Sequence, residues 1–337
     1  LPFGGEQAPF PWLALGVNAL ADAATCLLLW QIGKRLDSEL AGIATALVWA
    51  VAPYSVTFAI GGLETSLYVS LLTGAVWAYL SRRRMLTPLF ASLALLTRPD
   101  ALILVVPLVL DRLYRGWIAG AGSPLVRLLR RSSPRNDKTK SAQESRRNYK
   151  AKDNEDRISW REVAVFVLPL IAWYGFAWIY FGSPLPHSVT AKLLVYRLGA
   201  GSAFIRLLQH YATPFMEAEW GGVVMIGVGL VFYLFLFIIG AQRALKSELR
   251  VLAWAIFPVL YFLVFGLPNP LLFRWYLTPP LPAWMFFILM GLETIMGAIF
   301  YANRQRDSER ESLWVRLLRS PSGVARNDKN LRVQKTV

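Results

Sequence analysis

Nine apolar segments recur along the chain and constrain its fold more than any other feature. A transmembrane helix needs about 20 predominantly apolar residues, and a helix inside a bundle can be shorter. The segments are 12–33, 40–60, 63–80, 85–97, 100–112, 163–181, 221–240, 250–267 and 276–299. A hydrophobic content of 55% supports the same class of protein. The sequence therefore predicts an all-α, polytopic transmembrane bundle of about nine spans, with a re-entrant loop as the alternative for 85–97.

Basic residues predict which side of a membrane each loop occupies, because Lys and Arg in short loops mark the cytoplasmic side. The basic clusters lie at 34–35, 82–84, 112–161, 243–250 and beyond 304. With nine spans, all of these clusters fall on one face. We therefore expect a multi-pass protein of the cell membrane whose opposite, extracytoplasmic face carries the loops near 61, 98–100, 182–220 and 268–275.

The formal net charge of +15 would by itself suit a nucleic-acid-binding protein. Residues 124–162, however, hold 12 Lys and Arg against 6 Asp and Glu, and residues 302–337 hold 9 against 4. The positive excess is therefore local rather than a property of the whole fold. We expect no nucleic-acid partner, and we expect membrane lipids to contact the chain.

Four regions follow from these patterns. Residues 1–112 are predicted to form about five membrane helices, and residues 163–300 about four more with an outer loop at 182–220. Residues 113–162 are predicted to be a basic, disordered cytoplasmic insertion, and residues 301–337 a basic, disordered tail. Both basic regions contain VRLLR followed by RNDK. This pattern favours an inserted repeat element, with a tether to anionic lipid or to a partner as the alternative.

The sequence contains few patterns that are typical of metal binding or nucleotide binding. One cysteine and two histidines cannot supply a zinc cluster of the usual ligand spacing. A divalent cation bound by carboxylates stays open, and no other cofactor is indicated. The chain contains neither GxxxxGK[ST] nor GxGxxG, which argues against a soluble nucleotide as donor or energy source.

Three cations stand out because they fall on the predicted outer face, against the usual charge rule. Arg98, Lys192 and Arg274 lie at the ends of apolar segments, at the depth of a lipid phosphate. Arginine binds phosphate bidentately, and lysine acts as a point charge. Snorkelling to the interface, or pairing with an acid, is the alternative for each of them. The other charged residues predicted on this face are Arg197, Arg206, Glu6, Glu64, Asp100, Glu217 and Glu219.

Carboxylates at span ends are costly unless they are paired or functional. Glu64 begins one span, and Asp100 lies just inside the next outer turn. A transfer reaction to a hydroxyl needs one such group as general base. An ion pair of Arg98 with Asp100 or Glu64 is the structural alternative. Asp22 lies in the middle of a span, and we expect it to face the bundle interior.

Four outer motifs, taken in order, resemble a known family. They are GLETSLY at 62–68, LTRPDA at 96–101, YFGSPLPHSVTAK at 180–192 and RWYLTPPLPA at 274–283. In sequence, order and spacing they are similar to motifs of the bacterial polytopic glycosyltransferases of the GT-C fold. The nearest branch includes terminal arabinofuranosyltransferases and dolichyl-phosphate-mannose mannosyltransferase-like proteins. The likeness covers most of residues 10–300.

The resemblance implies transfer of a sugar from a polyprenyl-phosphate donor to an extracytoplasmic glycan, lipid or protein acceptor. It implies that Arg98, Lys192 and Arg274 hold the donor phosphate and that Glu64 and Asp100 shape the pocket. Two departures from the family pattern matter. His187 takes the place of an asparagine and joins the pocket residues. The family's catalytic Asp follows a first span that we expect upstream of Leu1, so Glu6 is the acid that remains in this region.

Two other functions stay open at this point. A transporter or flippase for an anionic or lipid-linked solute would use outer cations to steer its substrate, and it would need polar residues deep within several spans. The sequence offers few beyond Asn18 and Asp22. An inactive, truncated glycosyltransferase is the second alternative. The sugar, the acceptor and the oligomeric state are open.

Overall fold

The computed structural model of the chain describes residues 10–121, 158–183, 201–216, 222–268, 270 and 272–319. Every regular element in these ranges is helical. The α-helices are α1 Phe10–Arg35, α2 Glu39–Val51, α3 Pro53–Ile60, α4 Thr65–Leu80, α5 Leu86–Thr97, α6 Leu102–Ala121, α7 Trp160–Phe181, α8 Ser202–Ala212, α9 Gly222–Ser247, α10 Leu252–Gly266 and α11 Leu281–Arg319. Short 3₁₀ turns occupy Pro99–Ala101, Leu249–Val251 and Arg274–Tyr276.

Within the described ranges, five helical stretches are long and apolar enough to cross a membrane, so the chain is a helical membrane protein. They are Phe10–Arg35, Trp160–Phe181, Gly222–Ser247, Leu249–Gly266 and Leu281–Glu309. The bent pair α2 and α3 makes a sixth when it is taken as one span, and α4 and α5 are apolar but shorter. Helix covers most of each of the nine predicted segments, with two helices in segment 40–60. The count of nine spans stays a prediction.

The predicted span 40–60 is two helices rather than one. Ala52 has extended backbone angles, with φ −62° and ψ 133°, and Pro53 opens α3. A proline disfavours helical geometry in the residue before it and cannot donate a backbone hydrogen bond within a helix, so the helix breaks here. The two pieces meet at 50°. Tyr54, one residue after the break, is thereby placed to contact α8.

The turns between helices gather at two ends of the bundle. At one end, Arg98 donates to the Trp275 carbonyl at 3.4 Å, which joins two turns far apart in sequence. At the other end, Arg243 donates to the Asp37 carbonyl at 3.1 Å. We call these the Arg98 end and the Arg243 end. The predicted outer turns at 98–100 and 268–275 meet at the first end, and the basic turns near 34–35 and 243–250 meet at the second.

Glu293 organises the Arg243 end. Its carboxylate accepts hydrogen bonds from the Ser38 hydroxyl and, at 3.3 Å, from the Ala41 amide. It also forms an ion pair with Arg243 at 3.1 Å. The turn between α1 and α2 is thus fastened to α9 and to Glu293. Arg243, which the sequence marks only as a topology signal, also has a packing role.

Two glycines, Gly240 in α9 and Gly291 in α11, allow the backbone of α9 to touch the backbone of residues 281–293. A Cβ added at Gly240 would lie 1.9 Å from the Phe287 carbonyl oxygen, and one added at Gly291 would lie 2.0 Å from the Leu236 carbonyl oxygen. No side chain fits at either position. Small residues at helix interfaces allow this close approach in membranes, where dispersion forces drive helix association.

Two compact units divide the chain, Leu1–Glu293 and Thr294–Val337. Within the second unit, helix continues through Arg319, although the sequence analysis assigned residues 301–337 to a disordered tail. Residues 301–319 contain no glycine or proline, and the first proline follows at Pro321. Helix also continues to Ala121, inside the predicted insertion 113–162. Residues 122–157 and 320–337 lie outside the described ranges.

Substituting Gly240→Ala tests the glycine contact. The added methyl group overlaps the Phe287 carbonyl, so the helices must separate, and we expect a loss of about 1–3 kcal/mol in unfolding free energy. Gly227→Ala, in the same helix, is the matched control because a Cβ there meets nothing within 4 Å. Unfolding in detergent micelles measures both. Equal stability of the two variants would contradict the packing described here.

Candidate functional site

The sequence LTRPD places Arg98 at a forced break between two helices. Arg98 caps α5 with extended backbone angles, φ −152° and ψ 134°, because Pro99 follows it. The helix cannot continue, and the side chain turns inward instead of towards solvent. It is 5% exposed. The site is built around this buried guanidinium.

Asp100 binds Arg98 through both of its carboxylate oxygens. Nε donates to Oδ1 at 3.0 Å and Nη2 donates to Oδ2 at 3.2 Å. The Tyr261 hydroxyl of α10 donates to Oδ2 at 3.0 Å. Bidentate, charge-assisted pairs of this kind are strong and directional. The structure thus shows the ion pair that the sequence left as an alternative for Arg98.

Two aromatic rings complete the surroundings of Arg98. Its guanidinium carbon lies 4.3 Å from the ring centroid of Tyr276 and 5.1 Å from that of Tyr68. Burial lowers the pKa of Arg98, but the Asp100 carboxylate and the hydroxyls of Tyr261 and Tyr68 together outweigh burial, so the pKa is raised. The guanidinium stays charged. Arg98 therefore joins segments from α4, from the α5–α6 turn and from residues 274–276.

Glu64 and Arg274 lie at the same end but are exposed. Burial raises the pKa of Tyr276, Arg98 lowers it, and the carboxylates of Asp100 and Glu64 raise it further. The Glu64 carboxylate therefore lies close enough to Tyr276 to raise the pKa of this tyrosine, whose ring packs on the Arg98 guanidinium. The structure brings together four predicted site residues here: the paired Arg98 and Asp100, and the exposed Glu64 and Arg274 on the rim.

His210 is a buried polar residue that the sequence analysis did not assign to the site. Its Nε2 is 2.8 Å from the Leu277 carbonyl oxygen, and its ring meets the Tyr54 ring edge-on with centroids 4.4 Å apart. Among the described residues, Nδ1 has no hydrogen-bond partner. Burial, aided by the charge of Arg274, lowers the pKa of His210 to about 4, although the hydrogen bond to Leu277 opposes the shift.

One sequence signal could have placed His210 in the interior. Along α8, the buried side chains Ala203, Leu207, His210 and Tyr211 follow helical spacing. That spacing marks one face of an amphipathic helix. His210 lies on this apolar face, where a histidine must be neutral or paired. The helical spacing predicts that His210 is buried, but it does not predict which residues His210 contacts.

Comparison of the chain with protein-family models, with curated proteins and with solved structures finds no match.

The remaining predicted site residues lie outside the described ranges. They are Glu6, His187 and Lys192. The outer residues Arg197, Glu217 and Glu219 lie outside these ranges as well. In the part of the chain that the structure describes, no three His, Cys, Asp or Glu side chains are grouped to hold a metal ion.

Asp22 faces the bundle interior, as the sequence predicts. Its carboxylate accepts hydrogen bonds from Trp49 Nε1 at 3.3 Å and from the Ser66 hydroxyl at 3.1 Å. These bonds link α1 to α2 and to α4. A structural role for Asp22 accounts for the contacts observed.

The substitution Asp100→Asn tests the buried pair. It leaves the Arg98 charge without its counter-ion, and removing one partner of a buried pair costs about 3–5 kcal/mol. We expect a loss of that size in unfolding free energy, and a smaller loss in the double variant Arg98→Met with Asp100→Leu. Glu64→Gln, at the same end but exposed, is the control. A loss below about 1 kcal/mol for Asp100→Asn would show that the pair is not structural.

The neutral His210 predicts a loss of stability in acid. Its folded pKa of about 4 lies below the ordinary value of 6.5, so the unfolded chain binds the proton more tightly. Stability is complete above pH 6.5 and falls as pH decreases towards 4, by about 3 kcal/mol at the limit. Chemical unfolding from pH 7 to pH 4 measures this dependence.

His210→Asn is the comparison for that experiment, because it keeps a donor for Leu277 but does not titrate. All other ionisable groups are common to both proteins and cancel in the difference. Identical pH dependence in the two proteins would rule out a depressed pKa at His210.

Proposed function

We propose that this chain is an integral-membrane glycosyltransferase with a GT-C-like fold of about nine spans. In this proposal a sugar moves from a polyprenyl-phosphate donor to an extracytoplasmic glycan, lipid or protein acceptor. The supporting observation is the meeting of GLETSLY, LTRPDA and RWYLTPPLPA around Arg98, although up to 178 residues separate the positions that touch. Motifs that carry a shared chemistry must converge in space, and these three do.

The orientation of the bundle supports the same proposal. The basic turns at 34–35, 82–84 and 243–250 mark the Arg243 end as cytoplasmic by the charge rule. The Arg98 end is then extracytoplasmic, where lipid-linked sugars replace soluble nucleotide sugars as donors. The membrane in this proposal is the cell membrane, crossed several times.

The chemistry assigns different tasks to buried and exposed charges. A new bond forms between the acceptor oxygen and the sugar, the bond from the sugar to the phosphate oxygen breaks, and the acceptor proton passes to a carboxylate. Arg274 on the rim, together with Lys192 as the motif resemblance implies, offsets the charge that develops on the leaving phosphate. Glu64 is the exposed carboxylate described at this end, which makes it a candidate for the base alongside Glu6.

In this scheme Arg98 positions other residues of the site and does not itself bind the donor phosphate. The resemblance implies that it holds the donor phosphate, but its charge is already balanced by Asp100 and its side chain is buried. We infer that the pair fixes the position of Tyr276 and of the neighbouring Arg274. His187 stays a predicted pocket residue.

A transporter or flippase would need polar side chains that face a solute path through the spans. Several buried hydroxyls instead bond to carbonyls of their own helices. Thr25 bonds to Ala21, Thr45 to Ala41 and Thr73 to Val69, at 2.6–2.9 Å. The Asp22 carboxylate already accepts hydrogen bonds from Trp49 and Ser66. These contacts favour the enzyme over the transporter.

Sugar transfer by the purified, reconstituted protein tests the proposal. Labelled sugars on polyprenyl phosphate serve as donors, and membrane glycolipids serve as acceptors. We expect Lys192→Ala and Arg274→Ala each to lower transfer about 10- to 100-fold, since hydrogen bonds to charged groups contribute about 1.5–3 kcal/mol. Arg83→Ala, at the Arg243 end, is the matched control and should leave transfer unchanged.

Thermal unfolding of every variant separates loss of chemistry from loss of fold. Arg98→Ala should lose both, because it leaves Asp100 buried and unpaired. Normal transfer by Lys192→Ala and Arg98→Ala together would contradict the proposed site. Absence of transfer by the wild-type protein with every polyprenyl-phosphate sugar would contradict the proposed function itself.

A further inference from the structure

A cavity of about 210 Å³ lies between helices α4, α5, α6 and α7, and most of its wall is apolar. Tyr79, at the end of α4, is one of the residues that line it. The guanidinium carbon of Arg250, in the turn after α9, lies 5.9 Å from the Tyr79 ring centroid. The cavity therefore lies towards the Arg243 end, away from the proposed transfer site.

A buried ion pair forms the polar part of the cavity wall. Arg112 Nη1 of α6 lies 2.6 Å from Glu162 Oε2 of α7, and both residues line the cavity. Glu162 is 3% exposed. Its second carboxylate oxygen, Oε1, is buried and has no hydrogen-bond partner among the described residues. The pair thus fastens α6 to α7 but leaves one acceptor unsatisfied.

The local sequence offers Glu162 a partner that it does not use. Ser159 caps α7, and Glu162 follows three residues later, which is the spacing of a capping box. In a capping box the glutamate side chain returns to the amide of the N-cap residue. Here the carboxylate turns to Arg112 instead. A buried acceptor without a partner destabilises the fold, and a donor supplied by a ligand would remove that cost.

Exposed aromatic residues place the cavity at the depth of the membrane interface. Trp160, which opens α7, is 75% exposed, and Tyr114 and Trp117 of α6 are exposed as well. Tryptophan and tyrosine concentrate at the level of lipid headgroups. Arg112 precedes Trp117 on the same helix by roughly 7.5 Å of helix axis. The ion pair and the cavity beside it therefore lie next to the headgroup layer.

The charges of the cavity wall and its surroundings balance. Arg115 pairs with Asp111 at 2.8 Å, and Asp111 also accepts a hydrogen bond from the Tyr79 hydroxyl. Together with Arg112 and Glu162, these groups are two cations and two anions. An anionic ligand gains no net attraction from such a set. A ligand with N–H donors gains a charge-assisted hydrogen bond at Glu162 Oε1.

The size and the opening of the cavity limit what can bind. Pockets for drug-sized ligands are about 300–1,000 Å³, so this cavity suits a headgroup rather than a whole lipid. Val109 of α6 and Val163 of α7 line it and are both exposed. Acyl chains attached to a bound headgroup can therefore leave the cavity along these two residues and enter the bilayer.

We propose that this cavity binds the headgroup of a phospholipid that carries a primary ammonium group, as phosphatidylethanolamine does. The ammonium group donates to Glu162 Oε1, which it reaches after a small rotation of the carboxylate that borders the cavity. Arg112 keeps its contact with Oε2. The site lies outside all four sequence motifs and takes no part in sugar transfer, so it goes beyond the proposed function.

A comparison of three lipids tests the site directly. Phosphatidylethanolamine, its N,N-dimethyl derivative and phosphatidylcholine, all with the same acyl chains, offer three, one and no N–H donors. Each is titrated into the full-length protein in detergent micelles, and bound lipids are counted by native mass spectrometry. We expect phosphatidylethanolamine to bind at least about 10-fold more tightly than phosphatidylcholine, with the dimethyl lipid close to the former, because one donor satisfies Oε1.

Two variants remove the site in different ways. Glu162→Gln removes the charged acceptor, so the preference for phosphatidylethanolamine over phosphatidylcholine should disappear. Val109→Phe fills the opening and leaves the ion pair intact, so it should weaken phosphatidylethanolamine binding about 10-fold. Val106→Phe is the matched control, since Val106 is also exposed on α6 but does not line this cavity.

Each outcome decides the proposal. Equal binding of the three lipids by wild type, or tighter binding of phosphatidylglycerol than of phosphatidylethanolamine, overturns it. An unchanged preference in a folded Glu162→Gln variant also overturns it. If Glu162→Gln does not fold, Val109→Phe decides, and wild-type affinity in that variant rejects the cavity as the site. Because no transfer is measured, these results do not depend on whether the chain is a glycosyltransferase.

Discussion

The ion pair between Arg98 and Asp100 is the constraint on which the Arg98 end depends. Two opposite charges removed from water must be matched closely, and here the match uses both carboxylate oxygens, a tyrosine hydroxyl and two aromatic faces. Each of these partners comes from a different part of the chain. Because a buried pair is costly unless its geometry is good, the elements that supply it cannot move independently.

This constraint separates the buried charge of Arg98 from the exposed charges at the same end. Asp100 balances Arg98 within the interior, so the pair adds little net charge to the surface. The exposed charges of Glu64 and Arg274 lie beside it, next to Tyr276, whose ring packs on Arg98. A rigid support beneath a charged rim is the arrangement that a binding site requires, because side chains held in position lose less entropy when a ligand arrives.

Hydropathy predicted where the helices lie, because the length and apolar content of a span are local properties. The break at Pro53 is equally local, but both halves of the segment 40–60 are apolar, so hydropathy alone predicts one continuous span. The pairing of Arg98 was open in the sequence between Asp100 and Glu64, since only the fold decides which acid reaches. Tyr261 and His210 were missed because their partners lie 161 and 67 residues away.

The uncharged His210 determines how the Arg98 end responds to acidity. Between about pH 5 and 8 its ring stays neutral, and arginines stay protonated throughout this range. The described cations of the rim therefore present a nearly constant potential in mildly acid and neutral surroundings. A phosphate monoester loses its second proton near pH 6. Acid-dependent capture of such a ligand would then be governed by the ionisation of the ligand, with the protein acting as a fixed counter-charge.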